Sequence, residues 1–444
     1  MRAAVQILLA CFAALIASAC GPVVRPAAPE PQRRVVVKIP PPGTNARPSS
    51  GRTKSPGARG DLPRRRACSE LLTFDDDAFQ AAVRAAIEKP EGEIRPTDVK
   101  ELSGLCVEED SLRRLDGIEC LSELEVVEIE SSELSDLGPL SRLSKLQTIR
   151  CNSSQVSDLK PLVGLTRLEQ VSLPYAPLED LAPLANATQL RNLDLSHTRV
   201  RDLAPLADLH SLEGLALNHT QVSDLGPLAR LTALGQLALE STQVRDLGPL
   251  GSLEYLSDLD LGSTEVADLA PLAHATALER LNLTSTQVTD LGPLALLEYL
   301  SSVRLASTRV RDLGPLSKLT HLGWLDLSST AVTDLRPLGR HGELRRLELQ
   351  STGVKDLGPL VHMPRLTYLT LDSTPVSNLA PLTRLTQLRS VSLHRTRVRS
   401  LKPLLALPNL RFVRVTETGL DCVSQASTLR ALRSKSVRVL SDCR

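Results

Sequence analysis

The stretch LRNLDLSHTRVRDLAPL, residues 190–206, decides the fold. Leu193-Asp194-Leu195 alternates apolar and polar with period two, which predicts a short strand. Asp202-Leu203-Ala204-Pro205-Leu206 predicts a tight helical turn. Pro205 falls inside its first turn, where a missing N–H does no harm. Asp202 stands where its carboxylate can accept from the turn's free N–H groups. Leu190, Leu193, Leu195, Val200, Leu203 and Leu206 supply the apolar layer.

The same unit recurs on either side. The motif Asp-Leu-x-Pro-Leu starts at Asp136 and repeats every 22 residues to Asp356, with relaxed copies at Asn378 and Ser400. Such a fixed period marks a solenoid in which each layer buries its faces against its neighbours. A metal-binding row is the other reading of the Asp column, since neighbouring coils stack about 4.8 Å apart. Capping is preferred, because Asp, Asn378 and Ser400 are all good caps and Ser400 is a poor metal ligand. A Thr column runs from Thr198 to Thr418 at the same spacing. A buried hydroxyl there is expected to donate to a carbonyl of the next coil.

Composition fits thin identical layers. Aromatic residues make up only 2% of the 444, with a single Trp. The apolar mass is Leu, Val and Ala rather than the rings that fill ordinary cores. The net charge of +1 hides an asymmetry. Residues 22–66 hold eleven Lys/Arg and two Asp/Glu, and with Arg2 set aside the rest of the chain stands at −9. An acidic body argues against nucleic acid as a partner.

Residues 1–19 read as a signal peptide. Arg2 precedes an apolar run over residues 3–17, too short to span a membrane. Ala17-Ser18-Ala19-Cys20 resembles the lipobox of bacterial lipoproteins, which implies lipidation at Cys20 and an anchor in the cell envelope, at the outer membrane. That family prefers Leu, Val or Ile where this chain has Ala17. Ordinary cleavage after Ala19, giving a secreted protein, is the alternative. Residues 20–66 then form the lipidated Cys and a tether with ten prolines and no apolar period. Extended as polyproline, it would reach about 140 Å.

The frame L-x-x-L-x-x-L-x-L-x-x-T-x-V-x-D-L-x-P-L resembles the 22-residue repeat of internalin-type bacterial leucine-rich-repeat proteins. The stretch FDDDAFQAAVRAAI and the residues after it are similar to the helical cap that precedes internalin repeats. The resemblance implies an α/β fold: a curved right-handed solenoid, a parallel sheet on the concave face and short helical turns on the convex face. It implies protein binding in general. The boundaries expected are an N-terminal cap over 67–112, repeats over 113–418 and a C-terminal cap over 419–444. Cys422 and Cys443 bracket a helical stretch and a last strand, which resembles a disulfide-closed cap. Cys68, Cys106, Cys120 and Cys151 also lie in the folded part, and an even count in an exported chain favours disulfides. Their pairing is open, with Cys68–Cys106 the one favoured.

Function must lie where the repeat breaks its own monotony. Strand residues flanking the buried Leu pair face the concave surface. One column contains Trp324, Arg346, Tyr368 and Phe412, and the other contains Arg304, Asp326 and Glu348. Trp, Tyr and Arg are the residue types of interface hot spots. These seven are the candidate binding residues for a protein partner, with Trp324, Arg346 and Tyr368 as anchors. The contrary reading has Arg346 merely covering the two rings. A glycan partner or a structural role in the envelope is the alternative, since aromatic rings also stack on sugars. His197 and His219 share a column but lack a third metal ligand. No nucleophile–base pair, phosphate loop or metal cluster is visible, so catalysis, cofactors and metals are not expected.

Overall fold

The computed structural model describes Cys68 and residues 71–443 of the chain. The signal peptide, Cys20 and the tether lie outside the described residues. The described chain divides into two compact units. The first runs to Val156 and includes Lys160–Leu168; the second takes Ser157–Leu159 and continues from Glu169.

The first unit opens with helix α1 (Asp77–Ala86). Asp76 caps it, accepting from the N–H of Ala78 at 3.0 Å and of Phe79 at 3.1 Å. Phe79, Ala82 and Val83 recur at helical spacing and are buried. Phe79 meets Phe74 edge to face, with ring centres 5.4 Å apart. Three parallel strands follow: β1 (Gly104–Glu108), β2 (Val126–Glu130) and β3 (Thr148–Asn152). Leu105, Val127 and Ile149 are aligned across them and point inward.

Cys68 is bonded to Cys120, not to Cys106 as the sequence suggested. The alternation of β1 explains the difference. Leu105 and Val107 take the buried side, so Cys106 falls on the other face, level with Glu128 and Arg150. Cys120 instead ends a 3-10 turn (Ile118–Cys120), where it meets the segment entering the helix. Cys151 takes the inward side of β3 as a fully buried thiol, and burial pushes its pKa up to about 12.

The second unit is a succession of parallel strands of three or four residues, each advanced 22 residues from the last as far as Phe412–Val415. Asn192 pairs with Gly214, Leu193 with Leu215 and Asp194 with Ala216, and the register repeats onward. Each strand leads to a 3-10 turn with Pro in its first turn. The Asp column caps these turns: Asp202 accepts from Ala204 N at 2.8 Å. Asn378 does so at 2.9 Å and Ser400 at 3.4 Å.

The Thr column has a different partner from the one expected. Thr198 Oγ1 donates to the carbonyl of Leu195 at 2.7 Å, within its own coil, and the pattern repeats down the column. The residue before each Thr causes this. His197, His219, Ser241, Ser263 and their successors all adopt φ between 53° and 61°. This left-handed kink turns the chain back, so that the hydroxyl meets the Leu carbonyl three residues earlier.

The last coil is closed by helix α2 (Cys422–Ser434) and the strand Arg438–Ser441. Asp421 caps α2, and Leu429 and Leu432 are buried beneath it. Gln425 accepts from Leu401 N at 3.1 Å. Cys422 and Cys443 are bonded, closing the cap as expected.

Candidate functional site

Alternation along each strand sends two side chains outward around a buried Leu or Val. The strand Asn192–Asp194 carries small polar groups there, and Gly214 and Ala216 carry almost nothing. On the strands Trp324–Asp326, Arg346–Glu348 and Tyr368–Thr370 the first outward residue is large. Trp324 stands between two guanidinium groups: Arg304 lies 5.5 Å from its ring centre on one neighbouring strand, and Arg346 lies 5.0 Å away on the other. The indole N–H donates to Glu348 Oε1 at 3.1 Å, and Arg346 Nε donates to the same oxygen at 2.7 Å. Glu348 therefore fixes both the ring and the cation that covers it.

The other candidates fall around this cluster. Tyr368 is aligned with Arg346 and 49% exposed, so its phenol ring is open to a partner. Asp326 is buried and accepts from Ser328 N at 3.0 Å and Ser328 Oγ at 2.6 Å. It braces its strand end and offers little surface. Phe412 is half-buried and lies two strands from Tyr368, beyond Ser390. The structure thus brings Arg304, Trp324, Arg346 and Glu348 into one contact group, with Tyr368 at its edge and Phe412 apart.

Two polar atoms in this region have no hydrogen-bond partner although they are buried: Arg304 Nε and Thr370 Oγ1. Thr370 is aligned with Glu348 and was not picked out from the sequence. Elsewhere on the same face neighbouring coils satisfy one another. Arg280 donates to Asp258 at 2.6 and 2.8 Å, and Asn282 to Asp260 at 2.8 Å. Ser154 Oγ, outside this cluster, is likewise buried without a partner, so the feature is not peculiar to it.

His197 stacks between Tyr175 and His219, with ring centres 4.2 Å apart on each side. Burial, and then the neighbouring His219, holds His197 below the usual imidazole range. Sequence reading missed Tyr175, which occupies the same left-handed position one coil earlier. Among the described residues no group of three or more His, Cys, Asp or Glu could hold a metal ion. Charge is also less uniform than the total suggests. Residues 384–444 hold thirteen Lys/Arg against three Asp/Glu, so the acidity lies earlier in the body.

These features define a leucine-rich-repeat protein. A profile of leucine-rich repeats (two copies) matches residues 188–230. An internalin of Listeria monocytogenes (InlF) is similar in structure, with 25% identity and a TM-score of 0.63, covering 77% of this chain and 95% of that one. InlJ from the same organism shows 20% identity and a TM-score of 0.61 over 77% and 81% of the two chains. A leucine-rich-repeat protein of Leptospira interrogans gives 18% identity and a TM-score of 0.66 over 78% and 97%. No curated protein sequence matches the chain. The repeat, its helical opening and these neighbours give the chain a leucine-rich-repeat fold similar to that of the internalins. Its two disulfides fit an exported protein. Among the described residues no helix is long and apolar enough to cross a membrane.

Proposed function

We propose that this chain is a non-catalytic protein-binding solenoid whose partner docks on the outward strand face at Arg304, Trp324, Arg346, Glu348 and Tyr368. The observation that carries this reading is Trp324 held between Arg304 and Arg346, beside a Tyr368 that is 49% exposed. Rigid aromatic and Arg side chains are the groups that dominate interface energetics. Glu348 holds the ring and its cation in place beforehand, which lowers the entropy lost on association. Leucine-rich-repeat scaffolds commonly bind protein ligands: a plant peptide hormone receptor of similar fold, RGFR1, has been solved with RGF2.

In this reading Cys20 carries the lipid that holds the chain at the bacterial envelope, and residues 20–66 space the solenoid from the membrane. An unmodified residue 20 in the mature protein, seen by mass spectrometry, overturns the anchor alone. The binding face is tested separately. The full chain and its Trp324→Ala/Tyr368→Ala variant are presented to envelope extract divided into protein and glycan fractions. The expected result is a protein ligand retained by the wild type and held about tenfold or more weakly by the variant, with unchanged thermal unfolding. Equal affinity overturns the assignment of the face, and retention from the glycan fraction alone transfers it to sugar recognition.

A further inference from the structure

At the 3-10 turns of the second unit one coil departs from its neighbours. The turns Gly314–Lys318 and Gly358–His362 have five residues, but the turn between them, Arg336–Leu338, has three. Gly339 ends it, where the flanking coils carry Ser317 and Val361 at the same point of the repeat. A notch of about 570 Å³ lies at this turn, with Pro337, Gly339, Gly358 and Pro359 among its lining residues.

Its walls are basic. Lys318, Arg340 and His362 occupy one column in three successive coils, and Arg336 stands where both neighbours have Gly. No acidic residue lines the notch. Arg336 is paired with Asp334 at 2.8 Å. No ion pair among the described residues engages Lys318 or Arg340. Lys318, Arg340 and His362 are exposed and line the same notch, so an anion entering it meets more than one of them. Lys and the Arg fork both suit oxyanions, and a phosphate monoester brings between one and two negative charges at neutral pH. A space of several hundred Å³ also has room for the group that bears the phosphate.

We propose that this notch binds a phosphoryl group, carried either by a small phosphorylated molecule or by a lipid headgroup. Lys318 and Arg340 contact the phosphoryl oxygens, Arg336 lies beside them with its charge shared by Asp334, and Gly339 lines the space. The site is separate from the strand face.

The test uses the full chain with two probes: glucose 6-phosphate in solution, followed by calorimetry, and phosphatidylcholine vesicles doped with phosphatidic acid, followed by co-sedimentation. Saturable binding of at least one probe is expected. Binding of the first identifies a soluble ligand, and binding of the vesicles alone identifies a headgroup. Lys318→Ala/Arg340→Ala should weaken binding about tenfold or more. Gly339→Val, which keeps every charge and places in the notch the side chain its neighbour already has, should weaken it comparably. Thermal unfolding of both variants is measured alongside, and Lys318→Gln serves where the double variant does not fold. Failure of both probes to saturate, or equal binding by wild type and the variants, overturns the proposal.

Discussion

Arg346 lies 5.0 Å from the centre of the Trp324 ring, and both donate to one oxygen of Glu348, at 2.7 and 3.1 Å. This triangle ties the two strongest binding candidates to a single acceptor. Its state can be followed directly, because Trp324 is the only Trp in the chain. Iodide should quench its fluorescence better than caesium, since the Arg304 and Arg346 cations flank the ring and draw the anion in. Arg346→Ala should shrink that preference, and Glu348→Ala should increase quenching by both ions by releasing ring and guanidinium together. Quenching that does not depend on the sign of the ion contradicts the arrangement.

The Thr column predicts a uniform cost for removing one hydroxyl. Thr286 Oγ1 donates to Leu283 O at 2.7 Å inside the buried layer. Thr286→Val keeps the shape and leaves that carbonyl with only a long 3.3 Å contact from Thr286 N. A loss of about 1–2 kcal/mol is expected in denaturant unfolding. The same change in the neighbouring coil, Thr308→Val, should add to it nearly in full, because each hydroxyl serves its own coil. Strong coupling between the two would favour a ladder running from coil to coil.

Capping and metal binding make opposite predictions for the Asp column. Asp290 accepts from Gly292 N at 2.8 Å. Asp290→Ala should cost about 1 kcal/mol, whereas Asp290→Asn should cost much less, since Asn378 already performs the same duty at 2.9 Å. Calcium should leave the melting temperature of the wild type unchanged. A rise with added calcium restores the metal row.

The sheet, the turns and the C-terminal disulfide were legible because each rests on something a sequence displays directly: period, residue type, or two Cys bracketing one small element. The rest depends on geometry that letters do not carry. Ser at the left-handed positions gives no warning, since Gly is the residue that ordinarily announces positive φ, and so the turn that redirects Thr198 was invisible. Cys68 could not be matched to Cys120 without knowing which face of β1 Cys106 takes. Alternation puts Trp324, Arg346 and Glu348 on one side of their strands. That Glu348 would serve both of the others, that Asp326 would turn to Ser328, and that Arg304 Nε would be left without a partner are matters of rotamer, which alternation does not fix.

His341 gives the protein a pH dependence that a regular repeat would lack. It takes a core position filled by Leu319 in the preceding coil and Met363 in the next, and it is fully buried. Its Nδ1 lies 3.0 Å from Leu338 O and its Nε2 3.0 Å from Leu316 O. A neutral ring can donate to only one of them. Protonation would let it donate to both, yet burial outweighs the two carbonyls and holds the imidazole below its ordinary 6.5. The unfolded chain therefore binds this proton more tightly than the folded one. Stability from His341 is fully present above about pH 6.5 and declines as the pH falls below it. His197, held down in the same direction, adds to the decline. His341→Leu should leave stability at pH 8 little changed or raised, and should flatten the loss between about pH 6.5 and pH 5, measured as urea midpoints across that range. A variant as acid-sensitive as the wild type would mean that the ring is already protonated in the fold, bonded to both carbonyls.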